Sequence, residues 1–587
     1  MEIYDIYLHI CRVIYSIVWA WLDLKLLLQF VRSTCFFAPY PSLCHVRFLN
    51  SVKSSLLKKW QQFKTRLGKY PRKVSLLRKL HRAQSYQEWL KTASALDGLL
   101  GLDEWRRDPN TFLYNYNNIT ERIRRLRLAV ALDEPRLVCN TIRTGLIRNM
   151  VNIAVPELYN VAYAGTKDLI EEYAVEQVLS IRYVMELQTT PPHHTGFSTQ
   201  TKMDFIRGAR QGLGRSTLLL QGGSVFGLCH IGVVRALYYE NMLPRVITGT
   251  ATGAFVAAIV CIKNDKELEP FLDGESIDVR EFAFHRRHTL PHWREIFAFE
   301  QGHSWIRSIF RRTLRYINEN YCPDLYLLRE YARRELGDLT FEEAYKRTYR
   351  VLNITIAIPK VGGVPNLLNF VTAPNVLIWS AAVASCISAL DTELPVIWCK
   401  DDIGKLTPWN PKYKKYLRSW YTFRQHPKSS PLRRLPQLFN VNHFIISQPR
   451  PFMIPVFGEG IHHPGGGIHP GEWRIFRILD KLVGIETRHR LRQLNVFGLL
   501  PTLAHRIFID DDIPGSSVVV LPDLALGDLK APFTGLAREK VKDLISKGER
   551  GVWPSMSSLK VRCVLEMELE SAFQEMTGKK DNDLLTW

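Results

Sequence analysis

Hydrophobic positions recur along the chain with two different periods. Between residues 86 and 187 they return every three to four positions, as at Ile119, Ile123 and Leu126, which is the spacing of an amphipathic helix. From Thr217 onward, short apolar runs alternate with helical stretches, a pattern typical of a parallel sheet with crossover helices. The sequence therefore predicts an all-α domain followed by an α/β domain with a mainly parallel sheet.

The individual elements of the α/β domain follow from the same pattern. Short apolar runs predict strands at 217–221, 245–248, 351–358 and 443–447. Longer periodic runs predict helices at 228–240, 253–263, 325–336, 376–389 and 472–494. Between residues 389 and 435 the chain is polar, basic and rich in turn-forming residues, which predicts a long surface excursion.

The first forty residues predict a membrane-associated helix. Residues 6–22 contain Arg12 as their only formal charge, and a second apolar run follows at 26–31. Because roughly 17 to 25 apolar residues span a bilayer, this segment is of marginal length. A spanning helix, a hairpin, an in-plane helix and a soluble helix packed on the globular part all stay open as alternatives.

Positive charge is concentrated directly after this apolar segment. The chain has 78 Lys and Arg against 57 Asp and Glu, a formal charge of +21, and no acidic residue lies between Asp23 and Glu88. Anionic headgroups attract such a segment by about 1 kcal/mol per basic residue. We therefore expect an anionic membrane or lipid-droplet surface as a partner, with a merely solvated basic face as the alternative. No nucleic acid is expected, because no nucleic-acid-binding module accompanies the charge.

The overall composition and the cysteines bear on the cellular compartment, and the patterns above divide the chain into segments. With 46% hydrophobic and 23% charged residues, neither a largely disordered chain nor a polytopic membrane protein is expected. The ten cysteines are scattered and no cleavable signal peptide is evident, so we expect reduced thiols and a chain that faces the cytosol. The predicted segments are a membrane-associated helix at 1–40, a polybasic linker at 41–85, a helical domain at 86–200, an α/β domain at 201–450, and a helical and loop extension at 451–587.

The stretch from 218 to 263 carries the most specific chemical signal, because two glycine-rich turns there each join a strand to a helix. The first turn contains Gly222, Gly223, Ser224 and Gly227. Backbone N–H groups converge in such a turn at a helix N-terminus, where an oxyanion is stabilised. The second turn reads Gly249, Thr250, Ala251, Thr252 and Gly253. Its form is that of a nucleophile elbow, which holds its central residue out towards the substrate.

With these two turns the chain resembles the patatin-like lipid acyl hydrolase family, and in particular its fungal and plant triacylglycerol lipase branch. Further similar segments lie at 102–105, 114–116, 143–149, 165–167, 374–381 and 438–444. The resemblance implies a three-layer α/β/α patatin domain, a Ser-Asp dyad that attacks acyl esters, no cofactor, and work at lipid droplets or the cytosolic face of the endoplasmic reticulum.

Both dyad positions that the resemblance implies are substituted in this chain. The nucleophilic serine of the family corresponds to Ala251, whose methyl group cannot attack a carbonyl, and no other Gly-x-Ser-x-Gly occurs. Counting back from the segment 435–444 places the general base of the family at about Phe423. No Asp or Glu lies between Asp402 and Glu459, so a small shift in register does not supply a carboxylate.

Two functions remain open at this point. In the first, the chain is a non-catalytic member that binds acylglycerol or phospholipid, or that pairs with an active patatin-like relative and regulates it. In the second, it is an active lipid hydrolase or acyltransferase that uses non-standard residues. Thr250 and Thr252 flank the elbow apex, and His505 with Asp510 has the His-x4-Asp spacing of some acyltransferases, although about one such spacing is expected by chance in this chain.

No metal site is predicted. The acidic run 510–512 is interpreted as a solvated turn, and the histidine- and glycine-rich run 462–469 lacks an identifiable fourth zinc ligand. His230 is expected to pack in the core behind the first glycine turn.

Overall fold

A computed structural model describes residues 72–188, 197–275, 325–356, 367–386, 396–409, 431–449, 515–524 and 538–577, with five isolated positions at 486, 489, 490, 493 and 528. The chain divides into a unit of residues 1–80, of which the helical residues 72–80 are described, and a larger unit of residues 81–587. The predicted helix at 1–40, most of the linker at 41–85 and most of the predicted helix at 472–494 lie outside the described residues. No helix in the described ranges is both long enough and apolar enough to cross a bilayer.

The larger unit begins with a helical domain. Its helices are α1 (Tyr86–Leu100), α2 (Leu102–Arg107), α3 (Tyr116–Ala131), α4 (Pro135–Arg143), α5 (Asp168–Glu186) and α6 (Thr199–Leu213). The side chains of Ser85, Asn115 and Ser198 accept hydrogen bonds from first-turn N–H groups of α1, α3 and α6, which is why these helices begin where they do. Ile119 and Ile123 are buried, as the helical period predicts.

The α/β part of the larger unit is built on strands. Its strands are β1 (Arg215–Gln221), β2 (Val246–Thr250), β3 (Val351–Thr355), β4 (Leu367–Leu368), β5 (Trp398–Lys400), β6 (Leu406–Pro408), β7 (Val441–Ser447) and β8 (Ser516–Val520). In the part of the chain that the structure describes, six of them form one sheet in the order β4-β3-β2-β1-β7-β8, with only β4 antiparallel to its neighbour. This confirms the α/β fold with a mainly parallel sheet, and strands at the four predicted places.

The central position of β1 explains its composition. Leu218, Leu219 and Leu220 are all fully buried, because a central parallel strand is covered on both faces. β5 and β6 form a separate antiparallel hairpin within the segment that the sequence predicts as a surface excursion. Such short strands carry too few residues to show a period of their own.

Helices connect the strands close to their predicted positions. They are α7 (Cys229–Tyr239), α8 (Thr252–Ile262), α9 (Asp265–Leu272), α10 (Leu325–Leu336), α11 (Phe341–Thr348), α12 (Ile378–Cys386) and α13 (Arg434–Phe439). The parallel register pairs Gln221 with Thr250, so the turns that follow β1 and β2 lie side by side at the carboxyl edge of the sheet. This edge is where open α/β sheets bind their ligands.

The C-terminal segment is part of both domains, whereas the sequence predicts it as an extension. It contains β8 and the helices α14 (Arg538–Val552) and α15 (Met556–Thr577). β8 pairs with β7 at the edge of the sheet, and α14 packs against α7. Leu569 and Phe573 of α15 complete the core of the helical domain together with Phe205 of α6. The helical core therefore extends past residue 200, because α6 and α15 turn their apolar faces into it.

Candidate functional site

Ala251 stands at the apex of the turn between β2 and α8. Its backbone has φ 53° and ψ −124°, a conformation that residues other than glycine rarely adopt and that costs about 1–3 kcal/mol. Its N–H group donates a hydrogen bond to Ser385 Oγ at 2.9 Å, and its methyl group is half-buried. The chain therefore forms the strained backbone of a nucleophile elbow around a side chain that has no oxygen.

The two glycines of the elbow are required by close packing. A Cβ atom on Gly249 would lie 2.5 Å from Ala254 Cα, and one on Gly253 would lie 2.2 Å from the carbonyl oxygen of Leu220. Both contacts are with backbone, so no side chain can move to make room. The Gly-x-x-x-Gly spacing thus follows from how tightly α8 approaches the ends of β1 and β2.

The first glycine turn lies against the elbow. Gly222 and Gly223 both have positive φ, at 53° and 108°, and the Gly222 N–H group donates to the Thr250 carbonyl at 3.0 Å. A short 3₁₀ helix, Ser224–Leu228, follows and leads into α7. A Cβ on Gly227 would lie 2.8 Å from Thr252 Oγ1, so the two turns touch at this point. The structure describes the backbone of Ser224 but not its side chain.

The Gly222 carbonyl receives two hydrogen bonds that fix the peptide plane of this loop. Thr252 Oγ1 donates at 2.6 Å and His230 Nε2 at 3.0 Å. Because a carbonyl oxygen only accepts, His230 carries its proton on Nε2, and its Nδ1 accepts from the Ser447 hydroxyl at 2.7 Å. Burial lowers the pKa of His230 to about 4, so the ring is neutral at neutral pH, as these partners require. His230 is buried, as predicted, but it also orients the loop.

The threonine hydroxyls beside the apex are engaged in local hydrogen bonds. Thr250 Oγ1 lies 2.8 Å from Thr355 Oγ1 in the core, and the Thr252 hydroxyl is held by Gly222. Ser385 Oγ donates to the Thr355 carbonyl at 2.8 Å. Among the described residues, neither threonine hydroxyl is hydrogen-bonded to a histidine or a carboxylate. A general base that would activate them is therefore missing from the described part of the site.

Several residues named from the sequence lie outside the described residues. They are Phe423, His505, Asp510, the acidic run 510–512 and the histidine-rich run 462–469. Within the ranges that are described, there is no group of three His, Cys, Asp or Glu side chains arranged to hold a metal ion.

Sequence reasoning did not assign Ser385 and Ser447 to the site. Ser385 comes from α12, 134 positions after Ala251, and Ser447 from the end of β7, 217 positions after His230. No local pattern marks either serine, because only the parallel sheet and its covering helix bring them to the elbow and the first glycine turn. For His230 a local signal exists, since it lies eight positions after Gly222 on the helix that follows the loop.

Fold and site together define a class of protein. It is an α/β protein whose mainly parallel sheet presents a glycine-rich loop after β1 and a sharp strand-to-helix turn with positive φ at its apex after β2, both at the carboxyl edge.

Comparison with known proteins gives the family. Residues 218–391 match the family model of patatin-like phospholipases, and residues 66–211 match a domain of unknown function, DUF3336. The chain is 31% identical over 500 residues to triacylglycerol lipase ptl1 of Schizosaccharomyces pombe, which covers 84% of each chain. It is 30% identical over 541 residues to triacylglycerol lipase 5 of Saccharomyces cerevisiae, covering 90% of this chain and 69% of that one. The chain belongs to the patatin-like phospholipase family, a family of lipid hydrolases.

The strain at the elbow apex makes a stability prediction. We expect Ala251→Gly to raise the free energy of unfolding by about 1 kcal/mol, because glycine adopts the positive φ without strain and this gain exceeds its extra entropy in the unfolded chain. Denaturant unfolding of the two proteins measures the difference. Ala258→Gly, in the middle of α8, is the matched control and is expected to lose about 1 kcal/mol. An equal loss in both variants would show that the backbone of Ala251 is unstrained.

Proposed function

We propose that this chain is a non-catalytic, lipid-binding or regulatory member of the patatin-like lipase family. The observation that carries the proposal is Ala251 at the elbow apex, where ester cleavage needs an oxygen nucleophile. Loss of a catalytic residue costs several orders of magnitude in rate, because the remaining oxyanion donors supply only part of the acceleration. What the site keeps is a pre-formed loop and elbow that are suited to holding an acyl group.

The ligand and the place of action follow from the family and the charge. The similar proteins named above are triacylglycerol lipases, which supports acylglycerol or phospholipid as the bound lipid. The long basic segment without acidic residues, after an apolar run, supports an anionic membrane or lipid-droplet surface at the cytosolic face of the endoplasmic reticulum. An active patatin-like relative is the protein partner that a regulatory role would require.

The competing function is an active hydrolase or acyltransferase with non-standard residues. It is favoured by the completeness of the remaining site: the strained apex, both glycine contacts and the two hydrogen bonds to the Gly222 carbonyl are all present. It requires a nucleophile other than residue 251. Thr252 is the nearest hydroxyl in sequence that is not fully buried, and it would have to release Gly222 before it reacts.

An activity assay separates these functions. Purified full-length protein is incubated with radiolabelled triacylglycerol or lysophospholipid, beside Ala251→Ser and the double variant Ala251→Ser, Phe423→Asp. We expect no turnover above background by the unmodified chain, and roughly 100-fold more or higher by the double variant, because it restores both members of the catalytic unit. Ala254→Ser is the control, since it adds a hydroxyl in the first turn of α8 at a buried position.

Two outcomes would contradict the proposal. Fatty acid release by the unmodified chain that disappears in Thr252→Val would establish the competing function. Failure of the unmodified chain to bind a fluorescent diacylglycerol, in a folded and monodisperse preparation, would remove the lipid-binding role even if no turnover is seen.

A further inference from the structure

Arginine side chains cluster at the amino edge of the sheet, opposite the elbow. Arg215 begins β1 and Arg245 directly precedes β2, and the parallel register Thr217–Val246 brings the two to the same edge. Arg210 joins them from the last turn of α6. We call these three arginines the amino-edge cluster.

The cluster has fewer carboxylates than arginines. Glu570 of α15 pairs with Arg210 Nε at 2.7 Å and with Arg245 Nε at 3.2 Å, whereas Arg215 makes no ion pair within the described residues. The next carboxylate, Glu566, is already engaged by Arg148 at 3.0 Å and by the backbone N–H of Ser216 at 2.7 Å. Within the described residues, two of the three guanidinium groups thus share one carboxylate and the third has none, which leaves about two positive charges without a partner.

These guanidinium groups are withdrawn from water. The Arg210 side chain is only 12% exposed and that of Arg245 is 31% exposed. Burial, with the nearby charge of Arg210, lowers the pKa of Arg215 to about 10. Burial also lowers the pKa of Arg245. The neighbouring Glu570 carboxylate opposes this effect, and the charge of Arg210 adds to it. Removing cations from water without enough anions is unfavourable, and a bound anion would relieve this cost.

Tyr345 adds an independent observation at the same place. Its ring is buried, stacked on Phe370 with 4.1 Å between the ring centroids. Its hydroxyl has no hydrogen-bond partner in the part of the chain that the structure describes, and Arg215 and Arg245 are the cations that act on it most strongly. A buried hydroxyl without a partner is unfavourable, and phenylalanine would fill the same space without this cost. The hydroxyl therefore indicates an acceptor that the described residues do not supply.

We propose that the amino-edge cluster binds a phosphate-bearing ligand, whose oxygens accept hydrogen bonds from Arg215, Arg245 and the Tyr345 hydroxyl. The planar guanidinium fork matches phosphate oxygens, and the charge excess matches a phosphomonoester dianion better than a fatty-acid carboxylate. The partial exposure of Arg245 gives the ligand a route from solvent. Free phosphate and the phosphorylated headgroup of a lipid share this chemistry. The site is separate from the elbow and does not depend on whether the chain is catalytic.

Binding of inorganic phosphate to the full-length protein tests this proposal. Isothermal titration with phosphate, at ionic strength held constant with chloride, measures the affinity of the unmodified chain and of Arg215→Gln, Tyr345→Phe and Glu570→Gln. Arg215→Gln is expected to weaken binding about 10-fold or more, and Tyr345→Phe about 5-fold. Glu570→Gln is expected to tighten binding, because it removes the carboxylate that competes with phosphate for two arginines. Arg125→Gln, an exposed arginine of α3, is the control and leaves the affinity unchanged.

A vesicle arm distinguishes the two sources of phosphate. Phosphatidylcholine vesicles that contain phosphatidic acid are compared with vesicles of equal charge made with phosphatidylserine. Tyr345→Phe leaves the basic segment before residue 88 intact, so a loss of preference for phosphatidic acid in this variant reports on the cluster alone. A preference that inorganic phosphate abolishes assigns the site to the lipid headgroup, and phosphate binding without any preference assigns it to free phosphate.

The stability of the free protein supplies the sharpest check. Because the Tyr345 hydroxyl has no partner among the described residues, Tyr345→Phe should leave the melting temperature without phosphate unchanged or higher, while the increase caused by phosphate becomes smaller. An equal increase in all variants would be a general salt effect and would overturn the proposal. Weaker phosphate binding in Glu570→Gln would overturn it as well.

Discussion

Gly232→Ala is expected to lower the free energy of unfolding by about 3 kcal/mol, the upper end of what overpacking usually costs. Helices α7 and α14 meet at this glycine through their backbones. A Cβ on Gly232 would lie 1.8 Å from the carbonyl oxygen of Ile545 and 2.6 Å from the nitrogen of Glu549. The contact is reciprocal, since a Cβ on Gly548 would lie 2.0 Å from the Cys229 carbonyl oxygen. One methyl group therefore forces two helices apart.

Denaturant unfolding and hydrogen exchange measure this effect. The matched control is Gly208→Ala in α6, where an added Cβ meets no atom within 4 Å and the position is exposed. That substitution is expected to stabilise the protein by up to about 1 kcal/mol, because alanine favours a helix more than glycine does. Exchange in α14 should accelerate in Gly232→Ala and not in the control. Equal stability of the two variants would contradict the close approach of α7 and α14.

The same contact shows why part of the fold could not be predicted from the sequence. The runs that form β1 and β7 and the glycines that end β1 and β2 are local signals, so the strands and the two turns were predicted close to where the structure has them. Gly232 and Gly548 lie in separate helices, and nothing in either neighbourhood indicates that they meet. β8 has only two fully buried residues, Val518 and Val520, which is too short a pattern to identify a strand.

The candidate site divides in the same way. The five consecutive residues 249–253 predict a sharp turn, and the structure has such a turn there, with positive φ at Ala251. The hydrogen bonds that support it come from distant elements: Ser385 reaches the apex from α12, and Ser447 reaches His230 from β7. Hydrophobic periodicity identifies such residues only as core positions. It does not distinguish a side chain that is merely buried from one that also hydrogen-bonds to a loop.

The two edges of the sheet differ in how well their buried polar groups are satisfied. At the carboxyl edge, both ring nitrogens of His230 and the hydroxyls of Thr250 and Thr252 have partners. At the amino edge, within the described residues, the Tyr345 hydroxyl and His443 Nε2 have none. Because an unsatisfied buried group costs about 1–3 kcal/mol, a ligand that supplies partners to these amino-edge groups would stabilise the protein.

Acid is expected to destabilise the protein as the pH falls below about 6.5, through His230 and His443. Burial lowers the pKa of His230 to about 4. Burial, with the charges of Arg148 and Arg562, lowers the pKa of His443 well below its ordinary value. Between the unfolded and folded pKa values the unfolded chain binds more protons, so stability is present above about pH 6.5 and is lost as the pH falls. Each histidine contributes a slope of about 1.4 kcal/mol per pH unit, and urea unfolding from about pH 7 to about pH 5 measures the sum.

Single substitutions separate the two histidines. His443→Asn keeps a hydrogen-bond donor for the hydroxyl oxygen of Ser216, which lies 3.1 Å from His443 Nδ1 and gives its own proton to Glu566, and the variant removes the titrating ring. His230→Gln keeps a donor for the Gly222 carbonyl, which His230 Nε2 contacts at 3.0 Å. Each variant is expected to lose up to about 1.4 kcal/mol per pH unit of the slope between pH 6.5 and 5. An unchanged slope in both would mean that neither ring stays neutral in the fold, and His230 Nδ1 could then no longer accept the hydrogen bond from the Ser447 hydroxyl.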